Sequence, residues 1–258
     1  MRNILKAGLL IILLPLSLTT QAQFNSLFAP FDCREHFEYF YEEELTDVIS
    51  IDTSLAGSEA TNISMDLDTL NGWKDWSYVE NYAFGKDRGS LPMINDLKSL
   101  HPFFRDQIVR LIELCKAKGI ELAIVETYRT HAKQHEYKTM GKKYTSSGAG
   151  KSKHQYGLAI DVVPVVKSVA VWDNVALWKK IGTIGERLGL RWGGRWRSPY
   201  DPGHFEWTGG LTSSHLVAGK FPVLSSFSKR YPCLEEDLNT LRRYWKEWEI
   251  SQSALTRK

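Results

Sequence analysis

A mixed fold of helices and short strands, extended at both ends of the chain, is what the amino-acid sequence predicts. Apolar residues recur at helical spacing in some segments and form short continuous runs in others, with glycines between them. The composition of the 258 residues, 43% hydrophobic and 24% charged, is that of a globular protein able to bury a full core. One main domain with extensions is therefore the expected organisation.

The first helix and the first strand of this domain are predicted in the middle of the chain. Apolar residues recur at helical spacing at Phe104, Ile108, Leu111, Ile112 and Cys115. Gly119 is a natural stop for this helix. The segment "IELAIVET" that follows is rich in branched apolar residues and predicts a strand.

Two further helices and two further strands complete the predicted order. Thr130 can cap a short helix that ends before Gly141, and "YGLAIDVVP" then predicts a strand. Asp173 is expected to start the helix "NVALWKKIGTIGERL", which stops at Gly189. After a glycine-rich stretch, the last strand is expected to begin at His204 in "DPGHFEW".

The first 22 residues have the pattern of a secretory signal peptide. Arg2 and Lys6 precede an apolar run that is too short to span a membrane comfortably, and Thr20 and Ala22 fit a cleavage site. Cleavage would change 33 basic and 30 acidic residues to 31 and 30, a net charge of about +1. We expect export to the periplasm or the extracellular space, no stable membrane anchor and no nucleic-acid partner.

The predicted divisions are a signal peptide (1–22), an acidic N-terminal extension (23–88), a main domain (89–212) and a C-terminal extension with a helix (213–258). The acidic extension can lie against the lysine-rich loop 141–153, or both can simply be solvated. Cys115 lies on the apolar face of its helix and is expected to pack as a free thiol. Cys33 and Cys233 lie in the two extensions, where an oxidising compartment favours a disulfide between them.

Two metal-binding residue types lie close together in "KSKHQYGLAIDVVP". His154 and Asp161 would be roughly 10 Å apart along a helix and roughly 23 Å apart along a straight strand. Neither regular form brings the two side chains together. Gly157 between them permits a bend that folds His154 back toward Asp161. The pair then offers one nitrogen and one oxygen of the kind that zinc accepts.

The third ligand and two catalytic candidates lie elsewhere in the chain. His204 completes a two-nitrogen, one-oxygen set that leaves a position for water, as in catalytic zinc sites. Asp201, three residues earlier, suits a general base. Arg129, near the end of the first strand, can hold a substrate carboxylate or a developing oxygen charge, or can be a surface arginine in an ion pair.

These residues carry a family resemblance. "SKHQYGLAID" resembles the Ser-x-His-x-x-Gly-x-Ala-x-Asp signature of zinc peptidases that include D-alanyl-D-alanine carboxypeptidases and dipeptidases and L-alanyl-D-glutamate endopeptidases. Asp201 and His204 match the second signature of these enzymes. "ETYRTHAKQHEY" is similar to their Tyr-Arg-Ser/Thr segment with a glutamine five residues later, which places Arg129 and Gln134. The resemblance spans residues 90–210.

The resemblance implies a small α+β fold, in which an antiparallel sheet carries a zinc site and packs with helices, and hydrolysis of peptidoglycan stem peptides. It makes Ser152 and Gln134 candidates for substrate binding, and Tyr156, which can line the cleft, is a third candidate. Asp201 and "WGGRW" place the chain nearest the L-alanyl-D-glutamate endopeptidases. The alternatives are a D-alanyl-D-alanine carboxypeptidase and a non-catalytic, zinc-bearing module that binds cell wall.

Several other side chains fit structural as well as functional roles. His131 and His135 are one helical turn apart, but Ala132 stands where a zinc protease has glutamate, which favours a solvated helix face. Glu206 is expected to orient a ligand instead of binding zinc. The aromatic residues that can line the cleft or pack in the core are Tyr156, Trp192, Trp196 and Trp207. The histidines expected at the surface or in hydrogen bonds are His36, His101 and His215.

Overall fold

The computed structural model describes residues 88–223 and 231–256, so the signal peptide, Cys33, His36 and nearly all of the acidic extension lie outside the described residues. The helices are α1 (Pro102–Ala117), α2 (His131–Thr139), α3 (Val175–Arg187), α4 (Ser213–Val217) and α5 (Leu234–Leu255). The strands are β1 (Glu121–Glu126), β2 (Ala159–Val166), β3 (Val169–Ala170), β4 (Arg191–Trp192) and β5 (His204–Glu206). Three short 3-10 turns cover Leu97–Ser99, Lys153–Tyr156 and Gly193–Arg195.

The five strands form one antiparallel sheet with the order β1-β2-β5-β4, and β3 pairs with β2. The expected α+β fold with a small antiparallel sheet is therefore confirmed. Asp161 on β2 lies opposite Glu126 on β1 and opposite His204 on β5. The register thus brings three titratable side chains from three strands to one place in the sheet.

The core lies where α1 and α3 pack against the sheet. Phe104, Ile108, Leu111 and Cys115 on α1 are each 0% exposed, as the helical spacing predicted. Full burial of an apolar side chain of this size contributes about 1.5–3 kcal/mol, which holds the helix against the strands. Cys115 is a free, buried thiol, and burial raises its pKa to about 12.

Side-chain caps begin the helices that flank the site. Thr130 accepts a hydrogen bond from Lys133 N at 3.0 Å, which confirms it as the cap of α2. The predicted start of α3 at Asp173 is one residue early, because the Asn174 side chain accepts from Leu177 N at 3.0 Å. A side chain that caps a helix accepts from the amide three residues later. Asn174 has this spacing from Leu177 N and is therefore the capping residue of α3.

The C-terminal helix α5 packs on the loop that follows β1. Leu238, Leu241 and Trp245 are buried in one cluster with Ile94 and Tyr128. The residue before α5, Cys233, is disulfide-bonded. Its predicted partner lies outside the described residues, so the pairing stays a prediction. Within residues 88–223 and 231–256, we find no helix with the length and apolar character needed to span a membrane.

Candidate metal centre and active site

His154, Asp161 and His204 form one compact cluster, as the sequence predicted. His204 Nδ1 lies 2.9 Å from Asp161 Oδ1 and 3.3 Å from His154 Nε2. His154 Nε2 lies 3.4 Å from the same Asp161 oxygen. The two imidazoles are buried, and Asp161 is partly exposed. Three donor atoms, one from each side chain, thus converge on a single point.

The bend that delivers His154 to this point lies at Gly157. His154 belongs to the 3-10 turn Lys153–Tyr156, and Gly157 ends that turn with φ 60°, in the left-handed region. A Cβ atom at this position would lie 2.6 Å from Ser99 O, so the chain passes too close to its neighbour for a side chain. Both the backbone angle and the available space therefore require glycine.

A backbone carbonyl fixes which nitrogen of His154 faces the cluster. His154 Nδ1 lies 2.9 Å from Thr127 O, an acceptor that can bond only a protonated ring nitrogen. Nε2 is left as the unprotonated donor that a metal ion requires. This arrangement, in which a second contact selects the tautomer of a metal-binding histidine, is usual in metalloproteins.

His204 presents its other nitrogen to the cluster. Its Nε2 lies 3.3 Å from Glu206 Oε2, while its Nδ1 faces Asp161. Arg191 Nη1 donates to the second oxygen of Glu206 at 2.6 Å and balances the charge of that carboxylate. Glu206 therefore lies where it orients His204, as expected. The choice of Nδ1 depends on this side-chain contact and could not be predicted from the sequence.

The Asp161 and Glu206 carboxylates favour positive charge at His204. Burial alone would lower the pKa of His204, but hydrogen bonds to Asp161 and Glu206 raise it to about 10. Burial alone would raise the pKa of Asp161, but the His154 and His204 imidazoles bring it well below its usual range. Two nitrogens and one carboxylate oxygen within 4.8 Å of one another are a donor set that fits zinc.

Asp201 lies beside the cluster, in the loop that leads into β5. Its carbonyl accepts from His204 N at 3.2 Å, and its own N–H donates to Gly193 O at 3.3 Å. Burial raises the pKa of the Asp201 carboxyl, and the negative charge of Asp161 raises it further. A carboxyl group whose pKa is shifted toward neutrality is better suited to accept a proton at working pH.

Arg129 is buried, with 6% of its surface exposed, and is held on several sides. Nε donates to Glu126 Oε1 at 3.0 Å, and Nη2 makes a second contact to the other oxygen of the same carboxylate. Nη1 donates to Gln134 Oε1 at 3.1 Å, and Nη2 lies 3.8 Å from Asp161 Oδ2. The interpretation of Arg129 as a surface arginine is therefore wrong, although the ion pair itself is present.

Glu126 is the residue of this group that sequence reasoning missed. The signal was an acidic residue that follows four apolar residues at the end of a strand, three positions before an arginine. Gln134 is 0% exposed, and its amide donates to Ser147 O at 2.8 Å. Gln134 thus holds Arg129 and the loop after α2 in place instead of lining the cleft surface.

The remaining substrate-binding candidates, Ser152 and Tyr156, flank His154. Ser152 is 6% exposed and directly precedes the 3-10 turn. Tyr156 is half-buried, and its hydroxyl donates to Gly150 O at 2.7 Å. Tyr156 therefore ties the lysine-rich loop to the turn that carries His154.

Only one of the three tryptophans considered for the cleft has its ring beside the cluster. The Trp196 ring centroid lies 5.0 Å from that of His204. Trp192 is buried in the core and donates to Pro202 O at 2.8 Å. Trp207 packs on Phe103, with ring centroids 4.6 Å apart. Core packing accounts for Trp192 and Trp207, whereas Trp196 is the aromatic wall of the site.

The other histidines among the described residues lie outside the cluster. Of the two roles expected for His101, the surface position is wrong, because His101 is 0% exposed and packs against Trp207 and Phe221. Burial lowers its pKa to about 4. His131 is largely exposed and contacts Glu249, and neither it nor His135 belongs to the metal-binding group found among the described residues.

Comparison with known proteins agrees with this geometry. A family model described as D-alanyl-D-alanine carboxypeptidase matches residues 145–207. The peptidoglycan L-alanyl-D-glutamate endopeptidase CwlK of Bacillus subtilis (strain 168) is 30% identical over 130 residues, which cover 45% of this chain and 76% of that enzyme. The chain belongs to this family of zinc peptidases. The family includes carboxypeptidases and endopeptidases. The donor set of the His154–Asp161–His204 cluster fits zinc as the cofactor.

Two solved structures are also similar to the chain. The L-Ala D-Glu endopeptidase ChiX of Serratia marcescens is 28% identical and has a TM-score of 0.36, with 43% of this chain and 83% of ChiX covered. The vancomycin resistance D,D-pentapeptidase VanY, solved with Zn(II), is 20% identical and has a TM-score of 0.32, with 54% and 83% covered. These TM-scores are low, and membership of the family rests on the sequence match to CwlK.

Proposed function

We propose that this protein is an exported zinc peptidase that hydrolyses the L-alanyl–D-glutamate bond of peptidoglycan stem peptides. The observation that carries the proposal is the intact His154–Asp161–His204 donor set with Asp201 beside it. The 30% identity to an L-alanyl-D-glutamate endopeptidase supports the choice of bond. The signal-peptide pattern of residues 1–22 supports action in the periplasm or outside the cell.

The zinc ion would be held by His154 Nε2, Asp161 and His204 Nδ1, the atoms that converge in the cluster. When bound, zinc supplies Lewis-acid chemistry that polarises a peptide carbonyl and makes water a usable nucleophile near neutral pH. Thr127 O and Glu206 keep the two imidazoles in the orientation that this binding needs.

The proton and charge transfers fall to Asp201 and Arg129. Asp201 accepts the proton of the attacking water and returns it to the amine that leaves. Arg129, fixed by Glu126, supplies a positive charge beside Asp161 for a substrate carboxylate or for the oxygen charge that develops in the transition state. Ser152 directly precedes the turn that carries His154, and Tyr156 ends it, so both are assigned to binding of the stem peptide.

A D-alanyl-D-alanine carboxypeptidase is the second candidate, favoured by the description of the family model that matches residues 145–207. The two activities give different products from the same substrate. Incubation of the purified mature protein with intact muropeptides, followed by mass spectrometry, distinguishes them. New termini between L-alanine and D-glutamate support the proposed activity, whereas loss of a terminal D-alanine supports the second candidate.

Two variants test the roles assigned within "DPGHFEW". His204→Ala removes one of three protein ligands, so the protein should lose most of its zinc and its activity. Asp201→Asn keeps the shape of the side chain but cannot accept a proton. The zinc content should therefore stay at the wild-type value while turnover falls by roughly 100-fold or more.

Zinc content by atomic emission, measured beside muropeptide cleavage, decides between the possible outcomes. Loss of zinc from Asp201→Asn would make Asp201 a ligand. Full activity of the same variant would exclude Asp201 as the general base. A wild-type protein that binds zinc and stem peptides but cleaves none would be a non-catalytic, wall-binding module.

A further inference from the structure

The short segment Thr127–Arg129 holds His154 at two points. The Thr127 carbonyl accepts from the imidazole Nδ1 at 2.9 Å. The Arg129 N–H donates to the backbone carbonyl of His154 at 3.2 Å. The ring and the backbone of this proposed ligand thus depend on the same three residues, which also carry the Arg129 guanidinium.

The middle residue of this segment, Tyr128, is held by helix α5. Its ring is 3% exposed and stacks on Trp245, with centroids 5.1 Å apart and planes 4° apart. Its hydroxyl donates to Glu249 Oε1 at 2.9 Å. Trp245 and Glu249 are four residues apart and therefore lie on one face of α5, so one helix face fixes both the plane and the tip of the tyrosine ring.

The same two side chains reach the elements on either side of Tyr128. Glu249 also accepts from His131 N at 3.0 Å, where α2 begins. Trp245 Nε1 donates to Ser99 O at 2.8 Å, the carbonyl that lies against Gly157. A Cβ atom at Gly157 would lie 2.7 Å from Trp245 Cζ2. Helix α5 therefore supports the Thr127–Arg129 segment and also the bend after His154.

We propose that Trp245 and Glu249 are positioning residues that act through Tyr128 to fix His154 and Arg129. This proposal rests on the proposed function in that His154 is taken as a zinc ligand. Helix α5 lies outside residues 145–207, the part of the chain that the family model matches. The C-terminal extension is thus part of the metal site's support, in addition to its contribution to the free energy of folding.

The test compares zinc affinity in variants of the full mature chain. Glu249→Ala removes the hydrogen bonds to both Tyr128 and His131, Glu249→Gln retains an acceptor, and Glu247→Ala removes an exposed carboxylate from the same helix. Residues that hold a ligand directly alter metal affinity by about 10- to 100-fold. Glu249 contacts Tyr128 and does not contact His154 itself. We therefore expect the zinc dissociation constant of the Glu249→Ala variant to rise about 10-fold.

The conservative and control variants should behave differently. Glu249→Gln should recover most of the affinity, and Glu247→Ala should match the wild type. Zinc dissociation constants are measured by competition with a chromophoric chelator. The visible absorption bands of the cobalt(II)-substituted protein report the ligand geometry, and they should shift in Glu249→Ala but not in Glu247→Ala.

A purely structural role for α5 gives another pattern. A lower Tm for Glu249→Ala with an unchanged zinc dissociation constant and cobalt spectrum would overturn the positioning role. If Glu249→Ala does not fold, Tyr128→Phe decides the question, because it keeps the stack on Trp245 and removes only the hydroxyl. We expect its zinc dissociation constant to rise about 3-fold, since one hydrogen bond is lost, and an unchanged value would overturn the proposal.

The result also separates this inference from the proposed function. If the wild type cleaves no muropeptide but the variants show the expected zinc affinities, the proposed substrate is wrong and the positioning role stands. If the wild type cleaves muropeptides and every variant binds zinc equally well, the positioning role alone is wrong.

Discussion

Replacement of Gly157 by alanine should destabilise the protein more than the same replacement at a left-handed glycine with open surroundings. Gly157 has φ 60°, and an alanine in this region of the backbone costs about 1–2 kcal/mol. The added Cβ would also lie 2.6 Å from Ser99 O and 2.7 Å from Trp245 Cζ2. Overpacking of this kind costs about 1–3 kcal/mol more.

The sum for Gly157→Ala is about 2–5 kcal/mol, a large part of the ~5–15 kcal/mol that stabilises a typical domain. Gly119 offers a matched control, because it has φ 69° and, within the described part of the chain, no atom beyond its own backbone and chain neighbours lies within 4 Å of a Cβ built there. Gly119→Ala should therefore cost only the backbone part, about 1–2 kcal/mol. The difference between the two variants isolates the effect of the close packing.

Urea denaturation followed by tryptophan fluorescence gives the free energy of unfolding of both variants and the wild type. The zinc dissociation constant should rise in Gly157→Ala alone, because the displaced turn carries His154. Equal losses of stability in Gly157→Ala and Gly119→Ala would refute the reasoning. A destabilised Gly157→Ala that binds zinc with wild-type affinity would also refute it, since the bend would then not determine the position of His154.

Two further predictions concern charged side chains. Glu126→Gln should loosen Arg129 and lower muropeptide turnover by about 10- to 100-fold with zinc content unchanged, and a turnover equal to wild type would contradict this role. The hydrogen bond to Glu249 raises the pKa of His131 above 6.5. The contact of protonated His131 with Glu249 therefore stabilises the fold fully below about pH 6.5, and this stabilisation is lost as the pH rises through the raised pKa. Because His131 is largely exposed, the difference in unfolding free energy between wild type and His131→Ala should shrink by only about 0.5 kcal/mol from about pH 6 to about pH 9. A growing difference would contradict the sign.

The sequence predicted the parts of the site that depend on local spacing. A glycine between His154 and Asp161 implied the bend, because neither a helix nor a strand brings residues seven apart together. His204 was expected at the first position of a strand, and it lies there opposite Asp161. These features depend on backbone rules that act over a few residues, which a single sequence can reveal.

The contacts that the sequence did not predict join residues far apart in the chain. Tyr128 and Glu249 are separated by 121 positions, and no local pattern relates them. The contact of Glu206 with His204 Nε2 sets which nitrogen of His204 faces the cluster, and the Arg191 that balances Glu206 comes from the neighbouring strand β4. His101 was misplaced for a related reason, since its burial results from the packing of Trp207 and Phe221 around it.

The buried ammonium of Lys133 sets a limit on how the chain can be shortened. Lys133 is 1% exposed, and its Nζ donates to the Arg88 and Leu91 carbonyls and to Glu136 Oε2. Glu136 in turn accepts from Ser90 N. A fragment that begins after Leu91 would leave a lysine in the protein interior with one carboxylate and water in place of two carbonyls. An expression boundary placed just before α1 would remove these carbonyls but keep Lys133, so a minimal fragment should begin at or before Arg88.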